Sequence, residues 1–464
     1  MSTTATMREP RRRRTLIAVC VVGIVLVVLG LAGAGVWAAL GRADRLYAQV
    51  AELEASIRER GQPVTLEELN AYYPAVPDEE NAALVYEEAF RLLESIDPEG
   101  ERTADLLEQL NGVSRVAPSG LVEEVEAHLE SCEAVFEVLA RAAGYPESRY
   151  PVDFRRGVAT ELPHLKPLRT CVRLEALRGS YAVLDGRFDA FADSQRSVFA
   201  LSRSLRYEPQ IIAQLVRIAA HAIAAESLEN ALKRSELRDE TLVELADLYG
   251  STENIDAVVR TYAGERCIFA DAVYRTWIGD RGEGWPEITR PSLKSRIRIA
   301  LNGGRERIAT GERLAMLQYL TPLANAPDLS WPERMELSER TYESTKDLPD
   351  SKVMSRTMLP ALARGIGAFA RDAAVLRMAR TALTIELYRS SEGDLPSELD
   401  ALVPKYLPAP TLDPFDGEPL RYRRHEEGYA IYSIYSDLKD DNGVQAEKDE
   451  SGEWLGDWVF EVRR

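Results

Sequence analysis

Residues Thr15 to Leu40 form a run of 26 without a single charged side chain, built mostly from Val, Leu, Ile, Ala and Gly. A helix over that run is ~39 Å long at about 1.5 Å per residue, more than the roughly 30 Å hydrocarbon core of a bilayer. The expectation is a single membrane span. A cleaved signal peptide carries a shorter apolar stretch of about 7 to 15 residues before its small-residue site, so Ala32-Gly33-Ala34 and Trp37-Ala38-Ala39 are read as part of an uncleaved anchor. Cys20 lies inside the run behind Val19 and reads as a lipid-facing or packing thiol, not a lipid attachment site. Arg8 and Arg11 to Arg14 precede the span, whereas Arg42 and Arg45 lie beyond it with Asp44 between them. The positive-inside rule then puts residues 1–14 in the cytoplasm as a basic tail, and the rest outside, facing the periplasm from a bacterial inner membrane.

Beyond the span the chain is acidic. Its 464 residues carry a net charge of −18 although the first 14 hold five Arg against one Glu. Phosphate backbones are bound by clustered Lys and Arg, so no nucleic-acid partner is expected. Cysteines 132, 171 and 267 are odd in number and show no C-x-x-C spacing, and only four histidines occur (128, 164, 221 and 425). That set does not make a zinc site. Cys132 and Cys171 are the nearest pair for a bridge in an oxidising compartment, with buried free thiols the plainer expectation.

Leu46, Val50, Leu53 and Ile57 are spaced four, three and four apart, which predicts a stalk helix over 43–60 with a short a/d seam. Such a seam serves packing on the chain's own body or self-association as a homo-oligomer. Gly61 and Pro63 end it, and Thr65-Leu66-Glu67-Glu68 has the form of a capping box. From 65 to 350 amphipathic segments alternate with Pro/Gly or polar breaks, which predicts an irregular all-helical ectodomain, a bundle or short solenoid. Helices are expected over 79–95, 101–111, 119–144, 166–184, 188–206, 209–234, 239–249, 253–278, 291–319 and 331–346. The pair around Gly186, with Leu174, Leu177, Tyr181 and Leu184 before it and Phe188, Phe191, Phe199 and Leu205 after, resembles a tetratricopeptide-type hairpin. No second copy occurs at a 34-residue period.

No G-x-S-x-G, H-E-x-x-H, S-x-x-K or phosphate-binding glycine motif occurs. His221 sits on an Ala-rich stretch and reads as a packed or surface histidine, and Glu123, Glu124 and Glu126 as a solvated helix face. The segment Gly279 to Pro291, with Trp277 and Trp285 near Asp280, Arg281 and Glu283, reads as a loop pinned by two aromatic side chains. The alternative is a sugar or peptide groove, and with it a carboxylate-based hydrolase or carbohydrate-acting enzyme.

Residues 356–464 carry the most specific pattern. Leu359, Leu362, Ile366, Phe369, Ala373, Leu376, Leu383 and Leu387 trace one face of a long helix that Gly393 and Pro396 stop. A short helix over 397–403 comes next, then Pro404, Pro408, Pro410 and Pro414, turn signals at Asp413-Pro414 and Asp416-Gly417, a hairpin of 420–425 with 429–435, and a third strand over 458–462. That order predicts an α+β unit. The wording Gly393-Asp394-Leu395-Pro396, Asp413-Pro414-Phe415-Asp416-Gly417-Glu418-Pro419-Leu420-Arg421-Tyr422 and Gly428-Tyr429 to Asp437 resembles the C-terminal domain of the major pseudopilin of type II secretion, the G subunit. The resemblance implies a long helix laid on a small sheet, and a Ca²⁺ site in the loop before the last strand. Residue by residue, it points to Asp437 and Asp457, with Asp440 or Asp441 between them, as the metal ligands. Tyr435-Ser436 stands where Gly-Ala is common in that family. Arg14-Thr15-Leu16 lacks the Gly and Glu of a prepilin cleavage pattern, so a borrowed module is expected rather than a processed pilin subunit. The rest of the chain, including Pro77 to Ala83, is similar to membrane-anchored bacterial helical proteins that carry such a tail.

These features converge on a non-enzymatic, single-pass protein that binds other envelope or secretion proteins. Lipid contacts are expected through 15–40.

Overall fold

The computed structural model describes residues 44–113, 117–279, 304–449 and 454–464. The basic tail, the apolar run and most of the Gly279 to Pro291 segment lie outside the described residues. Helix α1, over 44–59, turns its seam inward: Val50 and Ile57 are buried, and Leu46 and Leu53 pack against the same core. Its Glu54 accepts from Arg313 Nε at 3.0 Å. The seam therefore serves the chain's own body. α2 (Leu66–Tyr72) starts at the anticipated cap, where Thr65 Oγ1 accepts from Glu68 N at 3.1 Å. Glu68 in turn accepts from Val64 N at 2.8 Å, one residue earlier than a reciprocal capping box requires.

Among the described residues the middle is helical, as predicted; the first part of the helix expected over 291–319, residues 291–303, lies outside them. It comprises α3 (Ala82–Ile96), α4 (Glu101–Asn111), α5 (Ser119–Ser131), α6 (Glu133–Ala143), α7 (Leu165–Leu184), α8 (Phe188–Arg203), α9 (Ile211–Arg234), α10 (Asp239–Gly250), α11 (Ile255–Ile278), α12 (Gly304–Ala324) and α13 (Trp331–Thr345). Two expected helices are broken. The segment 119–144 divides at Cys132, because its halves serve different cores. Val125 of α5 joins Leu106, Leu107 and Leu110 of α4 and Leu177 of α7 in a small cluster, whereas Val135, Val138, Leu139 and Ala142 of α6 enter the main core. No straight helix faces both ways. The long helix 359–387 divides likewise, into α14 (Val353–Arg364) and α15 (Ile366–Glu392). At Gly365 a Cβ would stand 2.8 Å from Ile211 and 2.9 Å from the Tyr262 hydroxyl, and that hydroxyl donates to Leu362 O at 2.8 Å.

α15 is the axis of the molecule. It packs on α9 and α10 on one side and on strands of the terminal sheet on the other. The sheet orders β1 (Arg421–His425), β2 (Gly428–Ser433) and β5 (Trp458–Arg463), all antiparallel, with Ile431 opposite Phe460 and Tyr429 opposite Val462. A second ladder, β3 (Glu447–Lys448) with β4 (Trp454–Leu455), has no counterpart among the expected strands. The short helix near 397–403 is a 3₁₀ turn at Leu399–Leu402. β5 also touches α9, and one continuous core runs from Val50 to Val462. α9 is itself long and apolar enough to cross a bilayer, but 56% of its most apolar window is buried in the body.

Candidate functional site

The terminal loop between β2 and β5 begins where Asp413 ties it down. That carboxylate is fully buried and accepts from Phe415 N at 3.0 Å, Ser433 Oγ at 2.8 Å and Ile434 N at 2.9 Å, with Arg421 Nη1 at 3.3 Å. Burial pushes its pKa up, and the donors from Phe415, Ser433 and Ile434 pull the other way. The Asp-Pro-Phe-Asp-Gly wording is thus explained locally: Asp413 fastens the end of β2, and Gly417 makes the turn at φ 80°. Tyr435 then adopts φ 51°. In this region a side chain costs about 1 kcal/mol, which is why glycine suits the position. Here the ring is buried instead, packing on Phe415 at 5.3 Å, Trp458 at 5.4 Å and Trp454 at 5.9 Å.

The four anticipated metal carboxylates lie in this loop. Asp457 is fully buried; its Oδ2 accepts from Gly443 N at 2.7 Å, and its Oδ1 has no hydrogen-bond partner. Burial raises its pKa, and the charges of Asp440 and Asp441 add to the rise. Asp437 is turned onto backbone, accepting from Lys439 N at 3.1 Å and Gly456 N at 3.4 Å. Asp440 Oδ1 accepts from Tyr432 Oη at 3.2 Å and Asn442 N at 2.9 Å. Asp441 is exposed. Among the described residues no three His, Cys, Asp or Glu side chains are grouped as a metal site.

Sequence reading misses a second constellation. His221, on α9, places Nδ1 at 2.9 and 3.1 Å from the Asp372 carboxylate of α15, and Nε2 at 3.0 Å from Ser202 Oγ of α8. The expectation of a packed histidine holds, but the packing includes an Asp-His-Ser chain. Ser202 donates to Phe199 O at 2.9 Å. In an acyl-transfer triad the serine has to meet its substrate; here Ser202 is 1% exposed. The chain joins three helices. Its only signal is spread over residues 202, 221 and 372, which no local motif connects.

Glu123, Glu124 and Glu126 are exposed on α5 as expected. Cys132, Cys171 and Cys267 are free and buried. Asp280, Arg281, Glu283 and Trp285 lie outside the described residues. Burial pushes Glu175 and Glu265 up to about 7, the range of a general acid, yet neither lines the cleft of about 610 Å³ between the end of α15 and the β1–β2 turn. Glu265 instead accepts from Ile211 N at 2.6 Å, capping α9. Comparison with protein-family models, curated proteins and solved structures returns no match.

Proposed function

We propose that the protein is a single-pass, non-enzymatic scaffold of the bacterial cytoplasmic membrane, anchored through 15–40, with its helical body outside the cytoplasm and its terminal unit binding envelope or secretion proteins. The observation that carries the reading is the terminal unit: a helix laid on a three-stranded antiparallel sheet, built on the Asp-Pro-Phe-Asp-Gly turn, as the pseudopilin resemblance implies. The full burial of Ser202 and His221 supports a structural rather than catalytic role for that chain.

Within the same reading the terminal loop takes Ca²⁺ through Asp457, Asp437 and one of Asp440 or Asp441. The buried, unpartnered Oδ1 of Asp457 supports this, since a hard cation is held by such oxygens. Bound there, the ion would neutralise a loop in which residues 437–461 hold nine acids against two Lys.

Two experiments test the proposal. Affinity capture of the full chain from detergent-solubilised membranes is expected to enrich secretion or envelope components over an Asp413→Ala control. Equal recovery by both would remove the terminal unit as the docking element. Thermal unfolding of the full chain with millimolar Ca²⁺ is expected to shift upward, and the Asp457→Asn variant to lose that shift. Absence of any shift or heat of binding in the unaltered protein would remove the ion.

A further inference from the structure

Three helix ends meet where the body begins. Helix α1 runs beside α12 in the same direction: Leu46 lies 4.0 Å from where a Cβ on Gly311 would stand, Arg313 Nε donates to Glu54 at 3.0 Å, and Gln62 Nε2 donates to Ala324 O at 2.8 Å. α11 runs the opposite way, with Arg266 Nη1 donating to Thr321 Oγ1 at 3.3 Å and Arg305 lying 3.7 Å from a Cβ on Gly279. The start of α1, the end of α11 and the start of α12 therefore share one end of the body. Only four residues lead from Leu40, the last of the apolar run, to Asp44. Fully extended they reach ~14 Å, at about 3.5 Å per residue, so an apolar run in the bilayer keeps this end beside the lipid headgroups.

The side chains there suit that neighbour. Tyr47 is 41% and Ile278 37% exposed, and Trp277 is half-buried. Tyr and Trp favour the boundary between water and hydrocarbon. Arg305 is exposed and Arg307 half-buried, and among the described residues no side-chain hydrogen bond or ion pair engages either. Glu306 opposes an anion, and Asp44 is followed by Arg45. The balance is nevertheless basic: residues 288–307 hold six Arg or Lys against that one Glu, in a chain of net charge −18, and the other acids of the α11–α12 connection, Asp280, Glu283 and Glu287, come before them. An acidic protein would meet the same charges, but a bilayer is the partner that the chain itself brings to this end.

We infer that this end of the body is a second membrane contact, in which Tyr47, Trp277 and Ile278 enter the headgroup layer while Arg305 and Arg307 bind the phosphates of anionic lipids. The inference rests on the proposed anchor and adds to it a seat that fixes the body against the bilayer.

The test places an environment-sensitive fluorophore on single cysteines in the full chain, reconstituted in nanodiscs that contain a headgroup spin-labelled lipid as quencher. The background is Cys20→Ser, with the buried thiols Cys132, Cys171 and Cys267 kept. Ile278→Cys reports the inferred contact and Asp44→Cys the anchor. Leu412→Cys is the distant control, beyond the start of α11, where Leu412 O and Glu253 both accept from Arg377. Quenching at 278 is expected to approach that at 44 and to exceed that at 412 several-fold. It should fall by about half or more in discs of zwitterionic lipid alone, or in ~0.5 M salt, which screens such contacts. The Arg305→Gln/Arg307→Gln pair should lower it as much, with a melting temperature near that of the unaltered protein, and the Arg305→Lys/Arg307→Lys pair should keep most of it. A quenched probe at 44 with a silent one at 278, or equal quenching at 278 and 412, would overturn this inference and leave the anchor standing. Quenching at 278 that ignores lipid charge and the Gln pair would overturn the anionic-lipid assignment. A silent probe at 44 would overturn the anchor, and this contact with it.

Discussion

Asp413 carries more structure than any other acid in the terminal unit, because one buried carboxylate holds two backbone amides, a serine and an arginine. Removing one partner of such a set leaves the others buried and unmet, at about 1 to 3 kcal/mol for each neutral group. Asp413→Ala is therefore expected to lower stability by about 3 kcal/mol or more, read from the urea midpoint. Glu175 and Glu265 make the opposite kind of contribution. Their carboxyls titrate at about 7 in the folded chain, above the usual value near 4.3 when unfolded. The folded state then binds more protons between those values. Stability contributed by these groups is full below about pH 4 and is lost as pH rises through about 7. Urea midpoints at pH 5 and pH 8 are expected to show the decline, and Glu265→Gln to flatten part of it while keeping an acceptor for Ile211 N. Invariant stability across that range would contradict the protonated interior. The turn motif marks Asp413 in the sequence; nothing local marks Glu175 or Glu265, whose burial arises only when distant helices close over them.

At the scale of elements, periodicity locates the helices well because each buries a recurrent face. The errors have two causes. Helices α5 and α6 read as one because apolar spacing reports that a face is buried, not which core receives it. The break at Gly365 depends on Ile211 and Tyr262, far away in sequence. The β3–β4 ladder is two residues long on each strand, below what alternation can signal. Helix α1 provides the test of interior packing. Ile57 is 1% exposed within the continuous core, so Ile57→Ala is expected to cost about 2 to 5 kcal/mol in thermal or urea unfolding, without changing the oligomeric state in detergent. Dissociation of an oligomer with little loss of stability would assign the seam to self-association. The Ser202–His221–Asp372 chain links α8, α9 and α15 in the same spirit. His221→Ala leaves Asp372 buried without its ring donor and is expected to cost about 3 kcal/mol or more, whereas Ser202→Ala should cost about 1 kcal/mol. Equal and negligible effects would show that the chain holds nothing together.

For the whole molecule, the continuity of the core from α1 to β5 has a physical consequence. The terminal unit shares α15 with the helical body, so its sheet is supported by α9 as well as by its own helix. In the proposed scaffold a partner bound to the terminal loop would therefore meet a surface fixed by the whole body, which lowers the ordering cost of association. In the proposed topology the composition, with an Arg-rich start, an uncharged run and an acidic remainder, would orient that body relative to a bilayer. Topology is the claim on which the scaffold reading rests, and it is tested most directly by fusing, after Arg464, a reporter enzyme active only outside the cytoplasm. The account expects reporter activity that stays with the membrane fraction through high-salt washing. A reporter active only when its cytoplasmic counterpart is fused, or a mature protein released in soluble form without its first forty residues, would contradict it.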